Sequence, residues 1–235
     1  MEKLPIHCPT CTSRVMGIFC NLPGPLAKEM DAKKTTQPYK RGQVIFYEGN
    51  SPFGMYCIFS GKVKLFKTSP NGKQVILKVL KAGDIFGYRS LFSSEPYAAT
   101  AEVIEDGQVC FIEKDAFFKV ISNDQATGWN VIKMLSQELG RAERKLTDVA
   151  TKSARVRMAE LVLMLSRAYG KKDKKGTLLD IRLKREEIAE MIGTTQETAI
   201  RLINEFKEDG ILRLEDHQIW VLDSKKLEGL TELPY

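Results

Sequence analysis

The sequence predicts an α+β fold, with strands gathered in the first half and helices in the second. Three observations carry that expectation. Short β-branched and aromatic runs, punctuated by glycine, fill residues 41 to 113; a narrow apolar stripe at helical spacing runs from Ile132 to Val149; and a basic helical region begins at Lys152.

Length and composition set the frame. The chain has 235 residues, and at about 150 residues per domain this suggests one large domain or two small ones, each able to bury a core without staples. Hydrophobic residues make up 43% and charged residues 28%, which excludes wholesale disorder and collagen-like architecture. No apolar run approaches the roughly 18 residues of a membrane span, so no membrane partner is expected. The opening, Met1 to Ile6, lacks a basic segment followed by a long apolar run, so no secretory signal is expected. A cytoplasmic location, where disulfides are rare, follows as the expectation. The net charge of +6 and the pI of about 9.0 favour an anionic partner.

The strands come first. Residues 43–47, 55–59, 63–67 and 74–80 are rich in β-branched and aromatic side chains, and glycines fall between them at Gly42, Gly49, Gly54, Gly61, Gly72, Gly83, Gly87 and Gly107. Asn71-Gly72 between two such runs is a hairpin signal. Even strand spacing with frequent turns predicts a small jelly roll, a β-roll, over residues 40–125, preceded by an arm over 1–39. In the next segment, 126–150, Ile132, Leu135, Leu139, Ala142, Leu146 and Val149 are spaced 3, 4, 3, 4, 3, an a/d seam with charged residues on the other faces. A helix packed on its own domain would also give such a stripe, but its narrowness and the small Ala142 favour self-association, and hence a homodimer.

From residue 151 to the end the pattern is basic and helical, with eleven Lys or Arg against three Asp or Glu over 151–185. A helix is expected over 155–169 and a solvated charged loop over 171–176. Residues 184–193 read as a short helix ended by Gly193; Thr194 or Thr195 caps a second helix over 196–207; residues 211–214 and 218–222 form a hairpin about Glu215-Asp216-His217. Helix, glycine turn and second helix make a helix-turn-helix, and the hairpin makes it winged. In a major groove, Arg bonds guanine bidentately, Glu accepts from cytosine and Gln pairs with adenine. Gln196, Glu197, Ile200 and Arg201 lie within two turns at the front of that helix, beside Thr195, while Lys184 and Arg185 are placed to meet phosphate. An ordinary helical hairpin, with Glu197 and Arg201 as a surface ion pair, is the alternative.

The five cysteines are Cys8, Cys11, Cys20, Cys57 and Cys110, an odd number that argues against a disulfide framework. His7-Cys8-Pro9-Thr10-Cys11 places two thiols on one turn, a spacing suited to zinc or an iron–sulfur cluster. A closed site needs further ligands, and Cys57 and Cys110 are the candidates for the fourth. An enzyme is not expected: His7 and His217 lie at opposite ends, and the sequence has no Walker loop, no Ser-His-Asp ordering and no HExxH.

Arg41-Gly42-x-x-Ile45-Phe46-x-Glu48-Gly49, Ser60-Gly61-Lys62-Val63, Asn71-Gly72-Lys73, Ala82-Gly83-Asp84-Ile85-Phe86-Gly87 and Gln196-Glu197-Thr198-x-x-Arg201-Leu202, in this order around the heptad helix, resemble the Crp/Fnr family of bacterial transcription regulators. The resemblance covers residues 40 to 222. It implies a cyclic-nucleotide-binding-like β-roll sensor, a homodimerising helix and a winged helix-turn-helix that reads a palindromic operator in double-stranded DNA, with RNA polymerase as a further partner. It also implies that Glu197 and Arg201 read a TGA-type core, while Gln196 and Ile200 occupy positions where members differ. Cyclic-nucleotide members hold the ribose with a Glu and the phosphate with an Arg; here the matching segments carry Tyr88-Arg89 and Tyr97, so a cyclic phosphate loses its charged partner. Tyr88, Arg89 and Tyr97 then mark an effector pocket for some small ligand, whether cyclic nucleotide, haem or other.

The cysteines resemble the oxygen-sensing Fnr branch. On that likeness Cys8, Cys11, Cys20 and Cys110 would hold a [4Fe–4S] cluster that senses oxygen, redox state or nitric oxide, and Cys57 would be a buried inert thiol. Eight residues separate Cys11 from Cys20, a longer interval than that branch has. An iron–sulfur cluster, zinc and no metal at all are the three readings of these residues. A regulatory module acting on protein instead of DNA is the rival function, and the basic winged segment over 151–222 argues against it.

Overall fold

The computed structural model describes residues 6–215 and 218–231, and the chain forms two compact units, Met1–Gly140 and Arg141–Tyr235. In the first, 3-10 turns at Cys8–Thr10 and Arg14–Met16 lead into helix α1 (Gly24–Ala32). Strands β1 (Lys34–Tyr39), β2 (Val44–Phe46), β3 (Gly54–Thr68), β4 (Gln74–Lys81) and β5 (Ile85–Phe86) follow, then helix α2 (Tyr88–Ser93), strand β6 (Thr100–Glu113), helix α3 (Lys114–Asn123) and the long helix α4 (Gln125–Thr151), which crosses the division between the units. The sheet runs β1-β6-β3-β4, with β2 added on β6 and β5 on β3, and its pairings are antiparallel.

Two expected strands, over 55–59 and 63–67, are one. β3 continues through Gly61 because a glycine at φ +84° lets the strand bend where an ordinary residue would end it. The β3–β6 ladder shifts register between Ile58 and Val63. At this bend the two backbones press together: a Cβ on Gly107 would lie 2.0 Å from the Ser60 carbonyl oxygen, and one on Gly61 would lie 2.6 Å from that of Glu105. The Asn71-Gly72 hairpin joins β3 to β4 as expected, with Gly72 at φ +81° and the Ser69 amide donating to the Lys73 carbonyl at 2.9 Å.

Inward residues of the roll, among them Phe46, Ile58, Val63, Leu80, Phe86, Tyr97 and Val109, form one core. A second core packs Phe19 and Leu22 of the arm and Ala27 and Met30 of α1 against Met55, Ile112 and Phe117. α4 contributes little to either. It buries Thr127 and Val131, and Leu135 is partly buried, yet Ile132, Leu139, Leu146 and Val149 remain 53%, 62%, 75% and 47% exposed, with Ala142 open among them.

The second unit contains α5 (Ala154–Tyr169), β7 (Gly170–Asp173), β8 (Gly176–Leu179), α6 (Arg185–Ile192), α7 (Gln196–Glu208), β9 (Leu212–Glu215), β10 (Gln218–Val221) and α8 (Ser224–Thr231). Its sheet runs β7-β8-β10-β9. Ser153 caps α5, accepting from the Val156 amide at 3.3 Å, and α5 buries Met158, Ala159, Leu161, Val162 and Leu165. The charged segment over 171–176, expected as a loop, is a hairpin instead. Lys171 and Lys172 occupy the exposed edge strand β7, where charge discourages pairing with other chains, Lys174 and Lys175 form the turn, and β8 pairs with β10 through Leu178 and Trp220. The Asp216-His217 turn of the wing lies outside the described residues. Among the described residues, no helix is long and apolar enough to cross a membrane.

Candidate nucleic-acid interface and effector region

The helix-turn-helix is built by short-range signals. Gly193 ends α6 at φ +66°. Thr195 caps α7, accepting from the Thr198 amide at 3.3 Å. Ala199, Leu202, Ile203 and Phe206 turn inward as the buried stripe of α7. The opposite face is thereby left outward: Gln196, Glu197, Ile200, Arg201 and Asn204 are exposed. Lys184, the N-cap of α6, is exposed and donates its amide to Glu187 Oε2 at 2.7 Å, while Arg185 is half-buried.

Arg201 pairs with Glu205, one turn towards the carboxy end, rather than with Glu197. Arg201 Nη1 donates to Glu205 Oε1 at 2.5 Å, Arg155 Nη1 donates to Glu205 Oε2 at 2.6 Å, and Arg155 Nη2 donates to Asp209 Oδ2 at 2.7 Å. One carboxylate thus holds two guanidinium groups. Glu197, Ile200, Arg201, Asn204, Glu205 and Glu208 line a shallow groove along this face. Asn204, Glu205 and Arg155 were not among the residues expected at this face from the sequence. The i, i+4 spacing of Arg201 and Glu205 was a usable signal, whereas the contact with Arg155 on α5 was not.

Tyr88, Arg89 and Tyr97 do not share one environment. Tyr97 is 5% exposed and stacks on Phe46 with ring centroids 3.7 Å apart, and its hydroxyl donates to the Gly54 carbonyl at 3.1 Å. Burial pushes its phenol pKa up. Tyr56 and Phe86 stack alongside, 5.1 Å apart, and each also lies near Phe46. Aromatic rings thus stand beside Tyr97. Tyr88 is also buried, but its hydroxyl donates to Glu138 Oε2 of α4 at 2.5 Å, a carboxylate that Lys78 also engages. Arg89 is exposed.

The cysteines divide differently from the expected set. Cys8, Cys11 and Cys110 line one cavity of about 40 Å³, and Cys57 joins them there; Cys20 is not among its lining residues. Cys57 and Cys110 are opposite one another on β3 and β6. Burial pushes the Cys8 thiol up to about 12, and raises Cys110 and, further, Cys57. Thr36 Oγ1 lies 3.3 Å from Cys110 Sγ, and the Cys8 amide donates to Asp31 Oδ1 at 2.8 Å. Among the described residues, no group of three or more His, Cys, Asp or Glu side chains is arranged to hold a metal ion. The expected [4Fe–4S] set does not fit. Cys20 does not line the cavity that holds Cys8, Cys11, Cys57 and Cys110, so the four thiols expected as ligands do not meet there.

Residues 36–124 match the model of the cyclic nucleotide-binding domain, and residues 156–230 that of the Crp-like helix-turn-helix domain. The chain is 30% identical over 192 residues to the cyclic AMP receptor protein of Thermus thermophilus, spanning 82% of this chain and 86% of the relative. It is 25% identical over 188 residues to the anaerobic regulatory protein of Bacillus subtilis, spanning 80% and 79%. Among solved structures, a CooA variant from Carboxydothermus hydrogenoformans superposes with a TM-score of 0.74 at 26% identity, over 89% of this chain and 91% of that one. A cyclic-nucleotide-binding-type roll followed by a winged helix-turn-helix defines a DNA-binding transcription regulator, and not an enzyme. The chain belongs to the Crp/Fnr family.

Proposed function

We propose that this regulator acts as a homodimer on a palindromic operator, with α7 in the major groove and Gln196, Glu197, Ile200 and Arg201 reading base edges. The observation that carries the reading is the exposed front of α7, where a capped helix start presents four side chains able to contact bases, and Glu205 holds Arg201. Thr195, Lys184 and Arg185 contact the phosphates. The partner copy is recruited through Ile132, Leu139, Ala142, Leu146 and Val149, with Leu135 at the margin. Binding-site selection with the full chain should return an inverted repeat whose half-sites lie about one helical turn apart; a set of selected sequences without two-fold symmetry would overturn this.

The regulatory signal enters through the thiols of the arm, by redox state, oxygen or nitric oxide, rather than through a cyclic nucleotide. The aromatic neighbours of Tyr97 support this: Tyr97 stands where a cyclic phosphate needs a cation, and its ring is stacked and its hydroxyl already bonded. Calorimetric titration with cyclic AMP should show no saturable binding. Saturable heat would return the effector to the roll.

A further inference from the structure

We propose that Glu138, gripped by Tyr88 and Lys78, is a positioning residue that fixes α4 on the roll for dimerisation, with Asn130 as a second hold from the arm. The proposal rests on the homodimer reading above and names the residues that prepare α4 for it. The first half of α4 has two faces. Thr127, Val131, Leu135 and Glu138 follow one another at steps of four, four and three residues, one stripe of a helix. Thr127 and Val131 are buried, and Met134 and Leu135 pack on the core that contains Phe19, Met55, Tyr88 and Phe117. Ile132 and Leu139 lie open on the other face. The packed stripe therefore continues from apolar residues to a carboxylate, and the roll meets that carboxylate with polar groups.

The two oxygens of Glu138 meet two different elements. The Tyr88 hydroxyl of α2 donates to Oε2 at 2.5 Å, and the Lys78 ammonium of β4 engages Oε1. The donor on α2 is well fixed. Tyr88 is buried in the same core on which Met134 and Leu135 pack. Gly87 before it sits at φ +82°, and a Cβ there would lie 3.3 Å from the rings of Tyr56 and Tyr97. Hydrogen bonds to an ionised group are directional and stronger than neutral ones, so this grip constrains rotation of α4 in a way that apolar packing does not. Two turns earlier on the same side, Asn130 Nδ2 donates to the Ile18 carbonyl of the arm at 3.1 Å. A helix held at both points presents Ile132 and Leu139 in one orientation. A second copy then has less to order when it binds, and association is favoured accordingly.

The test measures the dimer dissociation constant of the full-length chain by sedimentation. Glu138→Ala should raise it about tenfold and Tyr88→Phe about threefold. Glu138→Gln keeps an acceptor for Tyr88 and should fall between wild type and Glu138→Ala. Tyr88→Phe should add nothing once Glu138 is alanine, because the two act through one contact. Tyr88→Phe keeps its ring in the core, so the fold is retained. Hydrogen exchange in the Leu139→Glu background, where no partner covers α4, separates positioning from general stability. There Tyr88→Phe should speed exchange over residues 132–139 and leave β3 and β6 unchanged. A dimer constant unchanged in Glu138→Ala, additive effects of the two substitutions, or exchange that rises equally in β3, β6 and α4 would each overturn the proposal. Leu139→Glu alone separates this failure from that of the dimer reading. If it leaves the dimer intact, α4 is not the interface and both fall; if it gives monomer while Glu138→Ala changes nothing, only the positioning role falls.

Discussion

The front of α7 and the interior of the roll treat their polar groups in opposite ways. On α7, Gln196, Glu197 and Arg201 are exposed, and Arg201 is held by a neighbour that leaves it accessible. In the roll, Tyr97 is buried with its ring stacked and its hydroxyl bonded, and Tyr88 spends its hydroxyl on α4. The first arrangement leaves its polar groups in water, whereas the second has satisfied itself within the chain. An empty polar cradle costs stability because its groups lose hydration without gaining partners. Stacked and bonded as they are, Tyr97 and Tyr88 avoid that cost. The exposed face of α7 keeps its polar groups in water, where leaving them free of protein partners costs little.

The largest effect on this contrast is expected at the apolar stripe of α4, which also lies open to water. Leu139→Glu puts a charge where a second copy is expected to bury it. It should weaken dimerisation by about 3 kcal/mol or more, because an unpaired charge in a desolvated interface is expensive. Sedimentation would show monomer at concentrations where the wild type is dimeric. An unchanged oligomer would show that the stripe is not the interface and that its exposure has another explanation.

Next in size is Arg201→Ala. Loss of a bidentate contact to guanine should cost about 1–3 kcal/mol and relax preference at one base position. The check is competition between operators that differ only at that position. A variant that weakens all sequences alike would place Arg201 on phosphate and blur the distinction between reading and positioning.

The two regions also differ in how much of them was legible in the sequence. Gly193, the Thr195 cap and the inward stripe of α7 operate within a few residues, so their spacing alone locates the exposed face. The long-range features were not legible in that way. The place of Cys57 depends on the register of β3 against β6, which sets it opposite Cys110, and on an arm that brings Cys8 and Cys11 to the same cavity. Cys57 could be named from the sequence as a candidate beside Cys110, but nothing local to its apolar strand shows that the two stand opposite one another. Cys20 follows Phe19, whose burial in the second core anchors that part of the arm, and local spacing could not reveal which way the next thiol points. The β7–β8 hairpin was hidden for another reason: lysines on an edge strand resemble a solvated loop because both face water.

Within the roll, Tyr97→Phe sharpens the comparison from the other side. It keeps the ring on Phe46 but removes the bond to the Gly54 carbonyl, which is buried with it. The loss should be about 1 kcal/mol of unfolding free energy, read by chemical denaturation, since one neutral hydrogen bond is removed and its acceptor is left unmatched. The variant should still bind no cyclic AMP, because no cation has been restored. A stability unchanged within error would mean that the hydroxyl contributes nothing and that the site is closed by stacking alone.

The smallest effect is expected at Glu205, and it decides whether the front of α7 is organised before DNA arrives. Glu205 accepts from Arg201 and Arg155, with its side chain 29% exposed. Partly solvated ion pairs contribute little to folding, so Glu205→Gln should cost less than about 1 kcal/mol of stability. Its effect on DNA is separable in direction. Removing one negative charge from this face should strengthen binding to every sequence slightly, because repulsion of the phosphates falls. Releasing Arg201 from its anchor should at the same time reduce discrimination at the base that Arg201 reads, since a long side chain must then be ordered on binding. Non-cognate DNA should therefore gain more than the operator does, and the ratio of the two affinities should fall by a few-fold, equivalent to about 0.5–1 kcal/mol. Parallel measurements on the operator and on random duplex at one salt concentration distinguish the two contributions. If both affinities rise by the same factor, Glu205 acts only as a charge, and Arg201 needs no support from its neighbour to read a base.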